Sequence, residues 1–326
     1  MKEDEIRNRN AFNQYLDLVA KDIDAYLDAS QFITIGCPVC GGERMTHEFR
    51  KHGFDYVTCL SCATLFANPR PPYEAMRRFY AESPSTSFWI NQFFMPVAET
   101  RREKIFKPRA RYIAAMLNGK GRLTIGDVGS GFGIFLEELR RLAPGNRYVA
   151  IEPSNEMANL CRAKDLEVSC SCLEDVQDMK GEFDLLTGFE LLEHLVDPRL
   201  FLRRASQLLK PGGLLYLTTL NGKGFDIVVL WDRSKSVAPP HHLNFFNPQS
   251  ARMLLEQLGF EAVEISTPGE LDWDIVEGMI MNEGADVGRL WNLVARERDS
   301  GCKEELQAWI QKNRLSSHMR IVARKS

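Results

Sequence analysis

Four cysteines stand in two C-x-x-C pairs, Cys37/Cys40 and Cys59/Cys62, with 18 residues between the pairs. One tight turn can offer two thiolates, so two such pairs can close a tetrahedron round a zinc ion. Four thiolates leave no open position for water, which predicts a structural zinc rather than a catalytic one. A redox pair is the alternative for this spacing. Further along, Gly129, Gly131 and Gly133 alternate, and Asp127 lies two residues before the first of them. Lacking a Cβ, glycines let the backbone turn tightly and come close to a ligand. Dinucleotide sites favour G-x-G-x-x-G, with the pyrophosphate on a helix N-terminus. The pattern here is G-x-G-x-G, and the nearby acid would repel a pyrophosphate. Glu152 follows about 20 residues later, where an acid can accept from both ribose hydroxyls of a nucleoside. A carboxylate suits that task because it has only acceptor sites and a vicinal diol supplies two donors. Three histidines complete the set. His194 follows Glu193, and His241-His242 precede Leu243-Asn244-Phe245-Phe246. A neutral imidazole can take a proton from a hydroxyl. The other reading is structural: a hydrogen bond anchoring the Glu193–His194 loop, and one of His241 and His242 packed on the aromatics while the other is exposed.

These residues need a scaffold. Leu123–Val128 is an apolar β-type run that feeds the glycines, and Leu136, Leu139 and Leu142 follow at helical spacing. Strand, glycine turn and helix form the first unit of a nucleotide-binding α/β sheet. The alternation then continues regularly. Strands are expected at 147–151, 166–169, 183–189, 214–219, 261–266 and 319–323. Ser154 is expected to cap one helix, Asp197-Pro198 to open another, and Gly259 to stop a third that begins at Pro248. The pattern divides the chain into an N-terminal helix (1–35), a zinc ribbon (36–68), a helical linker or lid (69–120) and an α/β core (121–326). A helical insertion at about 267–318 either caps the substrate pocket or forms a homodimer interface. At its start, Asp272, Trp273 and Asp274 form either a helix cap or a contact for a polyol. The linker carries Arg101, Arg102, Lys104, Lys107, Arg109 and Arg111, which form either a solvated face or a lid that meets an anionic substrate.

The chain has 326 residues, 44% of them apolar, enough for one large core and a small second unit. Its net charge of −3 provides no global basic field for nucleic acid. Met1 to Asn10 is highly charged without an apolar segment, and no apolar run approaches 20 residues. A secretory signal and a membrane span are therefore not expected. Eight cysteines without a signal point to a reducing compartment, and a cytoplasmic enzyme is the simplest reading.

The stretch from Asp127 through Gly129-x-Gly131-x-Gly133, the acid Glu152, the strand end Phe189-Glu190 and the pair Glu193-His194 together resemble the class I S-adenosylmethionine (SAM)-dependent methyltransferases. With the cysteine pairs in front, the chain is similar to the members of that family that carry a zinc ribbon and serve polysaccharide and secondary-metabolite biosynthesis. The resemblance implies an α/β fold, a Rossmann-like seven-stranded sheet with helices on both faces, preceded by a small zinc-ribbon domain. It implies SAM as cofactor, with the methionine part, which carries an ammonium, over the glycine loop. Leu173 and Glu174 would border the adenine, and Phe189 and Glu190 would lie beside the sulfonium or the substrate. The acceptor it suggests is a sugar, a nucleotide sugar or a glycan intermediate, methylated on oxygen. Two alternatives stand beside it: an RNA base methyltransferase with a zinc ribbon, and a non-catalytic SAM-binding module.

Overall fold

The computed structural model describes residues 2–6 and 8–326. Its first sheet opens with β1 (Met45–Lys51), β2 (Phe54–Cys59) and β3 (Leu65–Ala67). The second holds β4 (Thr124–Val128), β5 (Arg147–Ile151), β6 (Glu167–Ser169), β7 (Phe183–Gly188) and β8 (Leu209–Leu220). Three further strands follow: β9 (Asn244–Phe245), β10 (Phe260–Ser266) and β11 (His318–Lys325). The seven-stranded order is β10-β11-β8-β7-β4-β5-β6. The central strands β6, β5, β4, β7 and β8 are parallel, while β11 inserts antiparallel between β8 and β10.

The burial of the central strands explains their composition. Ile125, Val149, Ala150, Ile151, Leu185, Leu186, Leu215 and Leu217 are all fully buried, as expected where helices cover both faces of a parallel sheet. The helices Ile134–Leu142, Asn155–Arg162, Pro198–Leu208 and Pro248–Gln257 provide that cover. Their ends follow the expected chemistry. Ser154 accepts from the Met157 N–H, Asp197 from Arg199 and Leu200, and Asn247 forms a capping box with Ser250.

The ribbon is continuous with the core. β3 pairs with β9, with Leu65 opposite Phe245 and Phe66 opposite Asn244. Residues 244–245 lie in what reads in sequence as a long connection, so the four-stranded sheet takes its last strand from the α/β half of the chain. An open sheet edge such as that of β3 is a template for a further strand. Side chains strengthen the join. The Tyr56 hydroxyl donates to the His242 carbonyl at 2.8 Å. Asn247 Nδ2 donates to the carbonyls of Cys62 and Ala63. Arg70, fully buried, donates to the carbonyls of Ala67, Val196 and Leu243 and to Asn244 Oδ1.

The N-terminal helix, Arg9–Tyr26, buries Phe12, Tyr15, Val19 and Ile23 in a cluster shared with Phe54, Tyr56, Phe79 and Phe93. The segment 69–120 is helical over Tyr73–Glu82 and Lys107–Leu117, with π-turns at Trp89–Phe94 and Arg102–Phe106. The insertion consists of Asp272–Glu283, Arg289–Glu297 and Ser300–Lys312 and packs Trp273, Val276 and Ile280 with Phe225 and Leu230. The polyol contact is corrected here. Asp272 accepts from the Ser317 N–H at 2.7 Å and from Gln307, and Trp273 is only 3% exposed, so both serve packing. Among the described residues no helix is long and apolar enough to cross a membrane.

Candidate active site

The glycine turn joins β4 to the helix Ile134–Leu142 at the carboxyl edge of the sheet. Gly133 is left-handed, at φ +68°, and a Cβ there would lie 2.9 Å from Leu166 Cδ1. Only glycine lets the helix start this close to its neighbours. The Gly131 N–H donates to Glu152 Oε2 at 2.8 Å, and the Ser154 N–H donates to Oε1 at 2.9 Å. Each carboxylate oxygen therefore has one amide partner and keeps lone pairs for a diol. Burial pushes the Glu152 carboxyl up, against the pull of those two amides. Asp127, 2% exposed, accepts from the Thr187 hydroxyl at 2.6 Å. Burial pushes its carboxyl up to about 7, with Thr187 opposing and Glu152 adding to the rise.

Above this loop lies the linker segment. Phe94 stacks on Phe132 of the glycine turn at 4.6 Å, and Ile90 and Ile134 join the same buried cluster. At least four of the six basic residues of the linker are paired internally. Arg102 pairs with Glu137 and Glu138, Lys104 with Glu5, Lys107 with Glu103, and Arg109 with Glu190.

The end of β7 carries a strained residue. Glu190 has φ +51°, rare for a residue with a side chain. Its Oε1 receives the Arg109 guanidinium at 2.9 Å and the Thr218 hydroxyl at 2.8 Å, and lies 3.2 Å from His318 Nδ1. Burial pushes this carboxyl up, but His318 and Arg109 together outweigh it and hold it well below the usual range. Phe189 packs edge-on against Phe135 at 4.6 Å and lies under the Arg109 guanidinium.

Beside Glu190 the three histidines converge. Rings of His194 and His242 are 4.8 Å apart, and His194 and His241 are 6.3 Å apart. His241 Nε2 lies 2.8 Å from the Tyr15 hydroxyl, and the ring packs among Tyr15, Phe79 and Tyr80. Burial there pushes the His241 imidazole down to about 3. His242 Nδ1 donates to the Ser236 carbonyl at 2.6 Å, and His194 Nδ1 lies 3.1 Å from the Tyr80 hydroxyl.

Cys37, Cys40, Cys59 and Cys62 come together as a separate centre. Sγ of Cys37 is 3.5 Å from that of Cys62, Cys40 is 3.5 Å from Cys59, and all four lie within 4.8 Å of one another. A tetrahedron with Zn–S bonds of about 2.3 Å has edges of about 3.8 Å, so the four sulfurs fit zinc. All eight cysteines are free of disulfides.

The structure thus gathers Asp127, the glycines, Glu152, Glu190 and the histidines along one edge of the sheet. Leu173 is 1% exposed and packs in the same buried cluster as Ile151, Val176 and Leu202. Glu174, next to it in the turn Leu173–Asp175, is half-buried, and burial pushes its carboxyl up. Tyr15, Tyr80, Thr218 and His318 are absent from a motif-based reading, since each is a lone residue in its own segment. Arg109 carries no signal that separates it from the other bases of its helix.

A family profile described as a methyltransferase domain matches residues 97–265, more than half of the chain. The ubiquinone biosynthesis O-methyltransferase of Xanthomonas axonopodis pv. citri is 31% identical over 171 residues, 48% of this chain and 70% of that protein. The protein of the same name from Xanthomonas oryzae pv. oryzae is 38% identical over 120 residues, 35% of this chain and 49% of the relative's length. The complex of the Haloferax volcanii Trm112 methyltransferase activator with a methyltransferase superposes with a TM-score of 0.51 at 17% identity, over 72% of this chain and 95% of that one. At that identity the likeness is one of fold. The matched segment contains the glycine turn, Glu152, Glu190 and all three histidines. The chain belongs to the methyltransferase domain family and is a SAM-dependent methyltransferase.

Proposed function

We propose that the chain moves the methyl group of SAM to a hydroxyl oxygen of a small molecule. The observation that carries this reading is the convergence of His194, His241 and His242 beside Glu190 at the edge of the sheet where the parallel strands end. Relatives named as O-methyltransferases support oxygen as the acceptor.

In this reading Glu152 clasps the ribose diol, and Asp127 faces the ammonium of the methionine part across Gly129 and Gly131. Glu190 and Phe189 border the reacting centre. The sulfonium is already activated, so the protein contributes chiefly alignment of oxygen, methyl carbon and sulfur. The C–O bond forms as the S–CH₃ bond breaks, and the electron pair stays on sulfur. The hydroxyl must give up its proton. His194 and His242 are half-buried, whereas His241 is sealed under Tyr15. The first two therefore meet the acceptor, and His241 positions their loop. Zinc in the Cys37, Cys40, Cys59 and Cys62 centre holds the ribbon, and through β3 it holds β9 next to His242.

The acceptor inferred from sequence is a sugar, nucleotide sugar or glycan intermediate. The half-buried rings of Tyr80, beside His194 and His241, and of Trp89, against Tyr15, favour a second class, a phenolic ring, since such faces stack on planar acceptors. Internal pairing of Arg102, Lys107 and Arg109 argues against a diphosphate handle. Met281, Leu290 and Trp309 of the insertion are exposed, which is compatible with the homodimer expected from sequence.

A labelled-methyl transfer screen over phenols, sugars, nucleotide sugars and glycans, with RNA as a control, tests the proposal. Label recovered as a methyl ether supports it. Label confined to RNA, or SAM binding without transfer to any pool, overturns it in favour of a base methyltransferase or a non-catalytic module.

A further inference from the structure

Glu193, His194 and His242 form a second potential metal centre, separate from the four cysteines. Glu193 and His194 sit in the turn Leu192–His194 that follows β7, and His242 directly precedes Leu243 and β9. One ligand atom from each of the three lies within 4.8 Å of the others. The two segments are locked together. The Leu243 N–H donates to the Glu193 carbonyl at 2.7 Å, and the buried Asn244 side chain donates to the carbonyls of Leu192 and Leu195.

The outer hydrogen bonds have the pattern that ligating histidines need. The Ser236 carbonyl can only accept, so His242 carries a proton on Nδ1, which makes Nε2 its ligating nitrogen. The Tyr80 hydroxyl, 3.1 Å from His194 Nδ1, can accept from that nitrogen and so leave Nε2 to ligate. The Thr219 hydroxyl donates to Glu193 Oε2 at 2.8 Å. Such second partners fix ring orientation at metal sites. Glu193 is 1% exposed and forms no ion pair with a Lys or Arg among the described residues. A bound cation would offset the cost of ionising a carboxyl group this deep.

We propose that Glu193, His194 and His242 bind one divalent transition-metal ion. Two imidazoles and one carboxylate suit zinc, cobalt or ferrous iron, not calcium or magnesium, and three protein ligands leave a position open. Resting on the O-methyltransferase reading, that position takes the acceptor hydroxyl, whose proton then passes to solvent, since His194 and His242 hold the metal and do not serve as the base. The metal site itself stands without it.

Cobalt(II) added to the full chain after removal of its metals is the probe. The expected content is about two ions per chain, one with thiolate-to-metal charge-transfer bands and one with ligand-field bands only. His242→Ala should remove the second set and leave the thiolate bands and SAM affinity in place. Where that variant does not fold, Glu193→Gln takes its place, and the loss of the thiolate-free bands is read in the same way. A wild-type spectrum with thiolate bands alone overturns the site, as does a second set that survives both substitutions. Methyl transfer is measured separately, so failure of the O-methyltransferase reading with cobalt still bound is distinguishable from failure of the site.

Discussion

The hydroxyl of Tyr15 lies 2.8 Å from Nε2 of His241, a contact across 226 residues that ties the N-terminal helix to the histidine loop. Both groups are buried, so neither can exchange its partner for water. Tyr15→Phe should leave the imidazole nitrogen unsatisfied and lower stability by about 1–3 kcal/mol. Urea unfolding of the single variants and of Tyr15→Phe with His241→Phe would give the coupling between them. Additive losses would mean that the contact contributes nothing of its own.

The ribbon should matter to the chemistry, not only to folding. β3 holds β9 in register, and Tyr56 bonds the His242 carbonyl. Cys59→Ser is expected to lower metal content by about one ion per chain and to reduce the melting temperature. Methyl transfer should fall more than SAM affinity, because the displaced element carries His242 while the glycine turn lies on β4. Equal losses of both would point to general unfolding.

Glu152 is preset by the amides of Gly131 and Ser154. Glu152→Ala should weaken SAM binding at least about a hundredfold, the equivalent of two charge-assisted hydrogen bonds. Titration calorimetry reads this directly. Glu152→Gln, which keeps one acceptor oxygen, should fall between the two.

Asp127 is expected to make SAM binding pH-dependent. Its buried carboxyl is pushed up to about 7, so below that pH it holds a proton and offers no charge to the ammonium. Affinity should drop by about tenfold per pH unit below 7 and level off above it. The free protein should show the opposite trend. The folded carboxyl keeps a proton that the unfolded chain releases near its ordinary value of about 3.9, so this group's contribution to stability declines as pH rises from about 4 to 7. Asp127→Asn should bind SAM more weakly with a flat pH profile and should flatten the stability profile.

The elements that depend on a few consecutive residues are legible without coordinates. Two C-x-x-C pairs, a glycine turn after an apolar strand, an acid ending the next strand and the caps at Ser154, Asp197 and Asn247 each carry their own geometry. Family and cofactor followed from those. His318 gave no such signal. It is an isolated residue at the start of the last strand, and it reaches Glu190 only because β11 inserts antiparallel beside β8. Leu173 shows the converse, since its place in the turn is readable while the direction of its side chain depends on what packs around it.

The sequence by itself therefore determined the class of fold and the family, and it marked the four cysteines, the glycine turn and the acid that ends the second strand, because local spacing dictates turns and ligand sets. Tertiary structure alone decided that the ribbon shares a strand with the core, that Tyr15 closes over His241, and that His194 meets His242. Those contacts join segments dozens to hundreds of residues apart, and what selects them is complementary burial and unpaired backbone groups seeking partners, quantities that no single stretch of chain contains.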